Sequence, residues 1–176
     1  MTIDNEKPNN YVWHYTRACY LLPIEAEGFL LPKSEQEFAG KNPMLKGMYL
    51  SVVPLIWFSS DQNWEHSASQ LANWRFKSWK ETAYDISAMR YGISLDDPRL
   101  LNWNDTCELS GSNREERRQR KKLIPHAKKA GSNPALWFSC RDPISLDDLH
   151  FQMWLNGQWT DVNRDEVREK LLRLRG

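Results

Sequence analysis

The segment Trp13-His14-Tyr15-Thr16 holds the densest group of side chains able to do chemistry. In a β-strand, His14 and Thr16 face the same side, because side chains alternate between the two faces. An imidazole and a hydroxyl can each donate or accept a hydrogen bond, so this pair could hold a sugar hydroxyl or a phosphate. The alternative is a half-buried histidine tied to a backbone carbonyl beside a β-forming threonine.

Trp64-Glu65-His66 is the second candidate. Glu65 comes six residues after Ser59, just beyond an apolar strand, where loops present functional groups. Adjacent residues in a helix do not face each other, which argues against an acid–base pair of Glu65 and His66. The alternative is the solvated start of a helix.

Histidine and cysteine spacing predicts no metal site, because the chain has no HxxxH, HExxH or CxxC pattern. The three cysteines are odd in number and far apart, which predicts a reducing, cytoplasmic setting without a disulfide framework.

The charge of the chain is unevenly distributed. The net charge is +1, from 24 basic and 23 acidic residues, but residues 114–129 alone carry +6. The remainder therefore carries −5. We expect the basic segment to contact nucleic-acid phosphates, a solvated helix surface being the alternative. Its candidate contact residues are Arg114, Arg117, Arg118, Arg120, Lys121 and Lys122.

Length and composition predict one globular domain. The chain has 176 residues, of which 40% are hydrophobic and 27% charged. No apolar run approaches the roughly 20 residues that a membrane-spanning helix needs. We expect residues 1–10 to form a flexible leader and residues 11–176 to form the domain.

The elements that must position the candidates can be read from local patterns. Residues 11–16 are typical of a strand, and a helix follows with Pro23 in its first turn and Gly28 just past its end. Further strands are expected within residues 48–59, 90–95 and 135–140. Residues 82–89 suit a helical piece.

The second half of the chain predicts a helix, a hairpin and a final helix. Ser112 with Glu115 marks the start of the basic helix, which Pro125 should end or kink. Asn156-Gly157 predicts a type I′ turn after a strand at residues 150–155, and a helix should cover residues 163–173. Strands and helices do not alternate regularly, so the fold class is α+β. Trp-Phe-Ser occurs at residues 57–59 and 137–139, which we interpret as two buried strands and not as a duplication.

Trp13-His14-Tyr15-Thr16, Leu22-Pro23-Ile24 and Gly28-Phe29-Leu30 resemble the opening of ADP-ribosyltransferase-like proteins. The similarity is to RNA 2′-phosphotransferases and DarT-type DNA ADP-ribosyltransferases. The later segments at residues 55–59, 90–92 and 137–144 resemble a group of small bacterial and phage proteins that share this opening.

This resemblance implies a single domain with a split, curved, mixed or antiparallel sheet, short flanking helices and an NAD-binding cleft. His14 would contact the ribose hydroxyls, Thr16 would support that contact, and an aromatic ring would stack on the nicotinamide. The implied cleft residues are His14, Tyr15, Thr16, Arg17, Trp57, Ser59, Ser60, Arg90 and Tyr91.

The late strand departs from the pattern of the resembled transferases. They place a glutamate at or beside that strand, whereas this chain has Trp137-Phe138-Ser139 there. Glu65 or Glu108 would have to substitute, and the implied catalytic set is His14, Thr16 and Glu65.

Three functions remain open from the sequence. The first is an NAD-binding or nucleotide-binding protein that transfers ADP-ribose to a nucleic acid or a protein. The second is a non-catalytic phage or mobile-element protein that sequesters a nucleotide or blocks a host protein. The third is a nucleic-acid-binding module that acts through the basic helix.

Overall fold

The computed structural model describes residues 10–33, 53–63, 65, 88–109, 131–175 and eight positions between 114 and 129. Most of the expected leader and the first part of the 48–59 stretch therefore lie outside the described residues. Within the described ranges, no helix has the length and apolar content needed to cross a membrane.

A seven-stranded antiparallel sheet organises the described residues. In chain order the elements are β1 (Tyr11–Arg17), α1 (Leu21–Glu27), β2 (Phe29–Leu30), β3 (Ile56–Ser59), β4 (Ala88–Ser94), β5 (Leu101–Asn102), α2 (Trp103–Leu109), β6 (Trp137–Cys140), β7 (Ile144–Ser145), β8 (His150–Leu155), β9 (Gln158–Asp161) and α3 (Arg164–Arg175). The order of the strands in the sheet is β5-β6-β3-β1-β4-β8-β9, and the two short strands β2 and β7 pair separately. The α+β class is confirmed.

One face of the sheet packs against α1 and α3 to form the main core. Alternation along β1 sends Val12 to this face, and the strand register adds Met89 and Tyr91 from β4. The helices contribute Leu21 and Leu171, each at most 1% exposed. Burial of such side chains stabilises the fold by about 1.5–3 kcal/mol each.

The opposite face is aromatic and polar. It carries Trp13 and Tyr15 from β1, Arg90 from β4, Gln152 from β8 and Trp159 from β9. The loop that follows β3 crosses this face, and its backbone carbonyls accept hydrogen bonds from Tyr15, Arg90 and Trp159.

Several local predictions are confirmed. Helix α1 ends at Gly28, whose φ of 69° is the left-handed cap that glycine adopts without strain. Asn156 and Gly157 have φ of 51° and 81°, as a type I′ turn requires. The repeated Trp-Phe-Ser segments lie in β3 and β6, which pair with Phe58 opposite Phe138.

Three element boundaries differ from the prediction. Ala88 and Met89 extend β4 and do not end a helix, because Met89 pairs with Thr16 and Met153 on its two sides. Ala135 lies in a 3₁₀ turn that precedes β6, and Asn133 caps this turn by accepting from the Ala135 N–H. Of the two outcomes predicted for Pro125, an end of the basic helix is wrong, since the described residues on both sides of it are helical up to Lys129. A kink at Pro125 stays a prediction.

Candidate functional site

His14 is held in a single tautomer by the backbone of β3. Its Nδ1 lies 2.9 Å from the carbonyl oxygen of Trp57. A carbonyl only accepts, so Nδ1 must carry the hydrogen and donate it. Nε2 is then left with a lone pair and acts as an acceptor. The edge of the ring contacts Phe58, with the ring centroids 5.9 Å apart.

The imidazole of His14 is half-buried, which disfavours its charged form. Burial lowers the pKa of His14 below its ordinary value of 6.5; the hydrogen bond to Trp57 opposes this shift, and the positive charge of Lys33 adds to it. Within the described part of the chain, Nε2 has no hydrogen-bond partner, and neither does the half-buried hydroxyl of Thr16. Two uncommitted polar groups therefore share one face of β1.

The predicted cleft residues are divided between the two faces of the sheet. Alternation places His14 and Thr16 on the core side, with Tyr91 opposite His14 on β4. Tyr91 is fully buried, its hydroxyl has no hydrogen-bond partner among the described residues, and burial raises its pKa. Tyr91 is therefore not available to stack on a ligand. The cleft members on the opposite face are Tyr15, Arg17, Trp57, Ser59 and Arg90.

Most of the donors of Arg90 are bonded within the protein itself. Its guanidinium carbon lies 3.8 Å from the ring centroid of Trp13 and 4.3 Å from that of Trp159. Its Nε donates to the side-chain oxygen of Gln152 over 2.8 Å, and Nη1 donates to the carbonyl of Gln62 over 2.8 Å. Burial lowers the pKa of Arg90, and no carboxylate of the described residues is within ion-pair distance of it.

Three consecutive carbonyls of the loop after β3 accept hydrogen bonds from the sheet. The Tyr15 hydroxyl donates to Asp61, Arg90 to Gln62, and the Trp159 indole to Asn63. Burial raises the pKa of Tyr15 to about 12, so its hydroxyl keeps the proton that it donates. This loop is therefore fixed on the aromatic face.

Ser60 and Arg141 are not bonded to His14 or Thr16. Ser60 is tied through its N–H and its hydroxyl to the carbonyl of Leu136, just before β6. Arg141 is exposed in the turn after β6. Neither residue forms a hydrogen bond or an ion pair with His14 or Thr16.

Glu65 is buried beside the late strand. Its carboxylate accepts from the hydroxyl of Ser59 over 3.0 Å, from the indole of Trp137 over 3.2 Å and from the hydroxyl of Ser132. Glu65 is only 6% exposed, so the expected solvated helix start is wrong for this residue. Trp64 and His66 lie outside the described residues, and Glu108 is exposed on α2.

A carboxylate thus stands next to β6, where the resemblance implies an acid. It lies on the other side of the sheet from His14, however, because Ser59 and Phe58 are consecutive in β3 and point to opposite faces. Glu65 and His14 form no hydrogen bond or ion pair with each other.

Three half-buried tryptophans surround the Glu65 side of the sheet. The ring centroids of Trp57 and Trp103 are 6.3 Å apart, and those of Trp103 and Trp137 are 5.3 Å apart. The strands that carry Trp13, Trp57 and Trp137 are neighbours in the sheet. Trp103 starts α2 and was not expected here.

Gln62, Gln152 and Lys33 are the interacting residues that the sequence did not indicate. Gln152 was visible only as a polar member of an alternating strand. It bridges Arg90 to Asp161, since its amide nitrogen donates to Asp161 over 2.8 Å. No sequence pattern indicated Gln62 or Lys33, because loop residues follow no hydrophobic periodicity.

Part of the predicted nucleic-acid contact set can be placed. Arg114, Arg118 and Lys121 are helical and exposed, whereas Arg117, Arg120 and Lys122 lie outside the described residues. No group of three or more His, Cys, Asp or Glu side chains suited to a metal ion occurs in the part of the chain that the structure describes.

No protein-family model, no curated protein and no solved structure matches this chain.

Proposed function

We propose that this protein binds an NAD-type nucleotide through the face of β1 that carries His14 and Thr16. The observation that supports this most is the fixed tautomer of His14. Its Nδ1 is committed to Trp57, so Nε2 is a bare acceptor. A ribose presents hydroxyl donors, which match a neutral imidazole acceptor next to a threonine hydroxyl.

A positive charge that acts on His14 supports a phosphate-containing ligand. Lys33 pairs with Leu55 at the start of β3, and its positive charge acts on His14. A pyrophosphate group would lie favourably near this ammonium, because opposite charges attract strongly where water is partly excluded. The side chain of Arg90, in contrast, is 4% exposed and already bonded to Gln152, Gln62 and Tyr15, so it is left out of this proposal.

The proposed reaction is transfer of ADP-ribose to a nucleic acid or a protein. The bond between ribose C1′ and the nicotinamide nitrogen breaks, C1′ bonds to a nucleophilic atom of the acceptor, and that atom gives up its proton. Thr16 would position the ribose together with His14. Glu65 is the implied acid, and its place beside β6 supports this assignment.

A second candidate is binding without transfer. The position of Glu65 favours it, because this carboxylate lies on the opposite face of β3 from the side that contacts His14. Such a protein would sequester a nucleotide or block a host protein. For either candidate we propose a cytoplasmic location, from the odd number and wide separation of the cysteines.

Calorimetric titration with NAD tests the binding proposal. His14→Ala removes the acceptor and should weaken binding about fivefold to tenfold, since one hydrogen bond contributes about 1–1.5 kcal/mol. His150→Ala is the matched control, because His150 is also half-buried but is bonded to Asp161 at the other face. Equal NAD affinity of both variants and the unmodified protein would contradict the proposal, as would absence of binding.

Release of nicotinamide from labelled NAD separates the two candidates. A transferase releases nicotinamide, and Glu65→Gln should slow the release while NAD affinity stays the same. A binder shows NAD affinity without any release.

A further inference from the structure

Trp103 and Trp137 form a corner of two aromatic rings next to the β5 edge of the sheet. Their ring centroids are 5.3 Å apart and their planes make an angle of 77°, so a face of each ring bounds the space between them. Trp57 lies against Trp103, with the ring centroids 6.3 Å apart and the planes at 41°. All three residues are half-buried and keep some exposure to solvent. We call Trp103 and Trp137 the tryptophan corner.

The sheet and α2 fix the positions of these rings. Trp57 and Trp137 are diagonal neighbours on paired strands, because Trp57 is opposite Ser139 in the β3–β6 register. Trp103 begins α2, and Thr106 of this helix is fully buried and shares a hydrogen bond of 2.7 Å with Ser139. The walls of the corner are therefore held in place before any ligand arrives, which lowers the entropic cost of binding.

A buried carboxylate lies at the indole N–H of Trp137. Oε2 of Glu65 accepts from this N–H over 3.2 Å. A negative charge at the N–H edge polarises the indole and makes its face more attractive to a cation. Glu65 is only 6% exposed, and it also accepts from the hydroxyls of Ser59 and Ser132. It therefore adds negative charge behind the ring and is not a contact surface for a ligand.

Another tryptophan pair of the same shape receives a cation from the protein. Trp154 and Trp159 have ring centroids 5.1 Å apart and planes at 69°, and the guanidinium carbon of Arg90 lies 4.3 Å from the centroid of Trp159. No Arg or Lys in the described ranges lies over the ring of Trp103 or Trp137. The tryptophan corner thus combines aromatic faces and a carboxylate without a cation from this part of the chain.

The surface of α2 adds negative charge beside the corner. Asp105 and Glu108 are exposed, and the helix contains no Lys or Arg. Both acids lie within about 8 Å of Trp103 along the helix axis, because each residue adds about 1.5 Å. This distance does not exceed the Debye length at physiological salt, about 8 Å, so the two carboxylates favour a positively charged ligand.

We propose that the tryptophan corner binds the quaternary ammonium group of a small molecule. Such a group is attracted to aromatic faces and has no N–H, so it needs no hydrogen-bond acceptor. A primary ammonium would lose its water without gaining an acceptor, since the carboxylate of Glu65 is buried. The corner lies on the opposite face of the sheet from His14, so this binding does not require a nucleotide at His14.

Calorimetric titration with choline chloride tests the proposal. Neohexyl alcohol is the matched neutral probe, because a carbon atom replaces the ammonium nitrogen of choline and the shape stays the same. Choline should bind at least about tenfold more tightly than this alcohol, since two aromatic walls attract the charge. It should also bind more tightly than ethanolamine, whose ammonium carries N–H groups. Sodium chloride keeps the ionic strength constant in all titrations.

Substitution of one wall locates the site. Trp103→Leu should weaken choline binding about fivefold to thirtyfold, because a cation over one ring loses that contact. Trp154→Leu is the matched control, since the geometry of its pair with Trp159 is almost the same, and it should leave choline affinity unchanged. Circular dichroism establishes that both variants are folded, and Trp103→Met replaces Trp103→Leu if that variant is not.

Neutralisation of the carboxylate tests the source of the attraction. Glu65→Gln keeps the size of the side chain and an acceptor oxygen for the indole of Trp137. It should weaken the binding of choline and leave the affinity for neohexyl alcohol the same, because only the charged probe responds to the lost charge.

Four results would overturn the proposal. These are no binding of choline, equal affinity for choline and neohexyl alcohol, affinity for ethanolamine equal to or above that for choline, and equal losses in the Trp103 and Trp154 variants. The second result would show a pocket that selects shape and not charge.

Discussion

Arg90 is expected to stabilise the fold and not to bind a ligand, although the resemblance implies it as a cleft residue. The side chain is 4% exposed and stacked between Trp13 and Trp159. Arg90→Met keeps the length and the apolar stem but removes the charge and every donor. The variant therefore tests the polar contacts with little loss of packing.

The expected cost follows from those contacts. The side-chain oxygen of Gln152 and the carbonyl of Gln62 lose their donor, at about 1–3 kcal/mol for each buried acceptor left unpaired. Loss of the guanidinium from between two indole faces removes about 1–2 kcal/mol, part of which the methionine restores by contact with the rings. We expect the free energy of unfolding to fall by about 3–5 kcal/mol.

Equilibrium unfolding in urea, followed by tryptophan fluorescence, provides the measurement. With a slope of about 2 kcal/mol per molar urea, the midpoint should fall by about 2 M. Arg173→Met is the matched control, because its side chain is 80% exposed and its ion pair lies on the surface of α3. This control should change the free energy of unfolding by less than about 0.5 kcal/mol.

The reasoning fails if Arg90→Met costs less than about 1 kcal/mol. It also fails if the variant is stable but loses NAD affinity while Arg173→Met keeps it. That second outcome would assign Arg90 to a ligand site.

Three further perturbations test the fold and the state of His14. Gly92→Ala should lower the free energy of unfolding by about 1–3 kcal/mol, because the new methyl would lie 2.6 Å from a ring atom of buried Trp13. An unchanged urea midpoint would contradict this steric conflict. Gly157→Ala should lower the free energy of unfolding by about 1–2 kcal/mol through backbone strain alone, because the φ of this residue is 81° and nothing lies within 4 Å of the added carbon. Differential scanning calorimetry should show a fall of several degrees in Tm, and an unchanged Tm would contradict the strain. Burial lowers the pKa of His14 in the folded state below its unfolded value, so the unfolded chain takes up the proton first as the pH falls. The free energy of unfolding should therefore decline below about pH 6.5, with a slope of at most about 1.4 kcal/mol per pH unit. His14→Gln should make the decline between pH 7 and 5 shallower, and identical pH profiles of the two proteins would refute the lowered pKa.

The parts of the fold that local chemistry determines could be predicted from the sequence. Gly28 and Asn156-Gly157 end a helix and turn a hairpin because their backbone angles suit few other residues. Alternation correctly placed His14 and Thr16 on a common face. These signals act over a few residues, which is why a sequence pattern contains them.

The arrangement of the candidate site depends on strand register, which no local pattern contains. Arg90 faces the same side as Tyr15 only because these two residues are opposite each other in β1 and β4. Burial of Glu65 depends on Ser132 and Trp137, which are 67 and 72 residues away in the chain. The resemblance compares residue types and holds no information on strand register. It therefore assigned to one cleft residues that lie on opposite faces of the sheet.

The conformation of the loop after β3 depends on residues that are distant in the chain, so the loop would not keep it in another protein. Its three carbonyl acceptors take donors from β1, β4 and β9, at separations of 46, 28 and 96 residues. A peptide of residues 60–65 alone would keep none of these partners. Because the donors bond to backbone oxygens, the residue types at positions 61 and 63 can change without loss of these bonds, whereas Tyr15, Arg90 and Trp159 cannot. Sequence variation in this protein should therefore be tolerated at position 63. It should be restricted at Gln62 and Glu65, whose side chains are bonded, and in the strands that hold the loop.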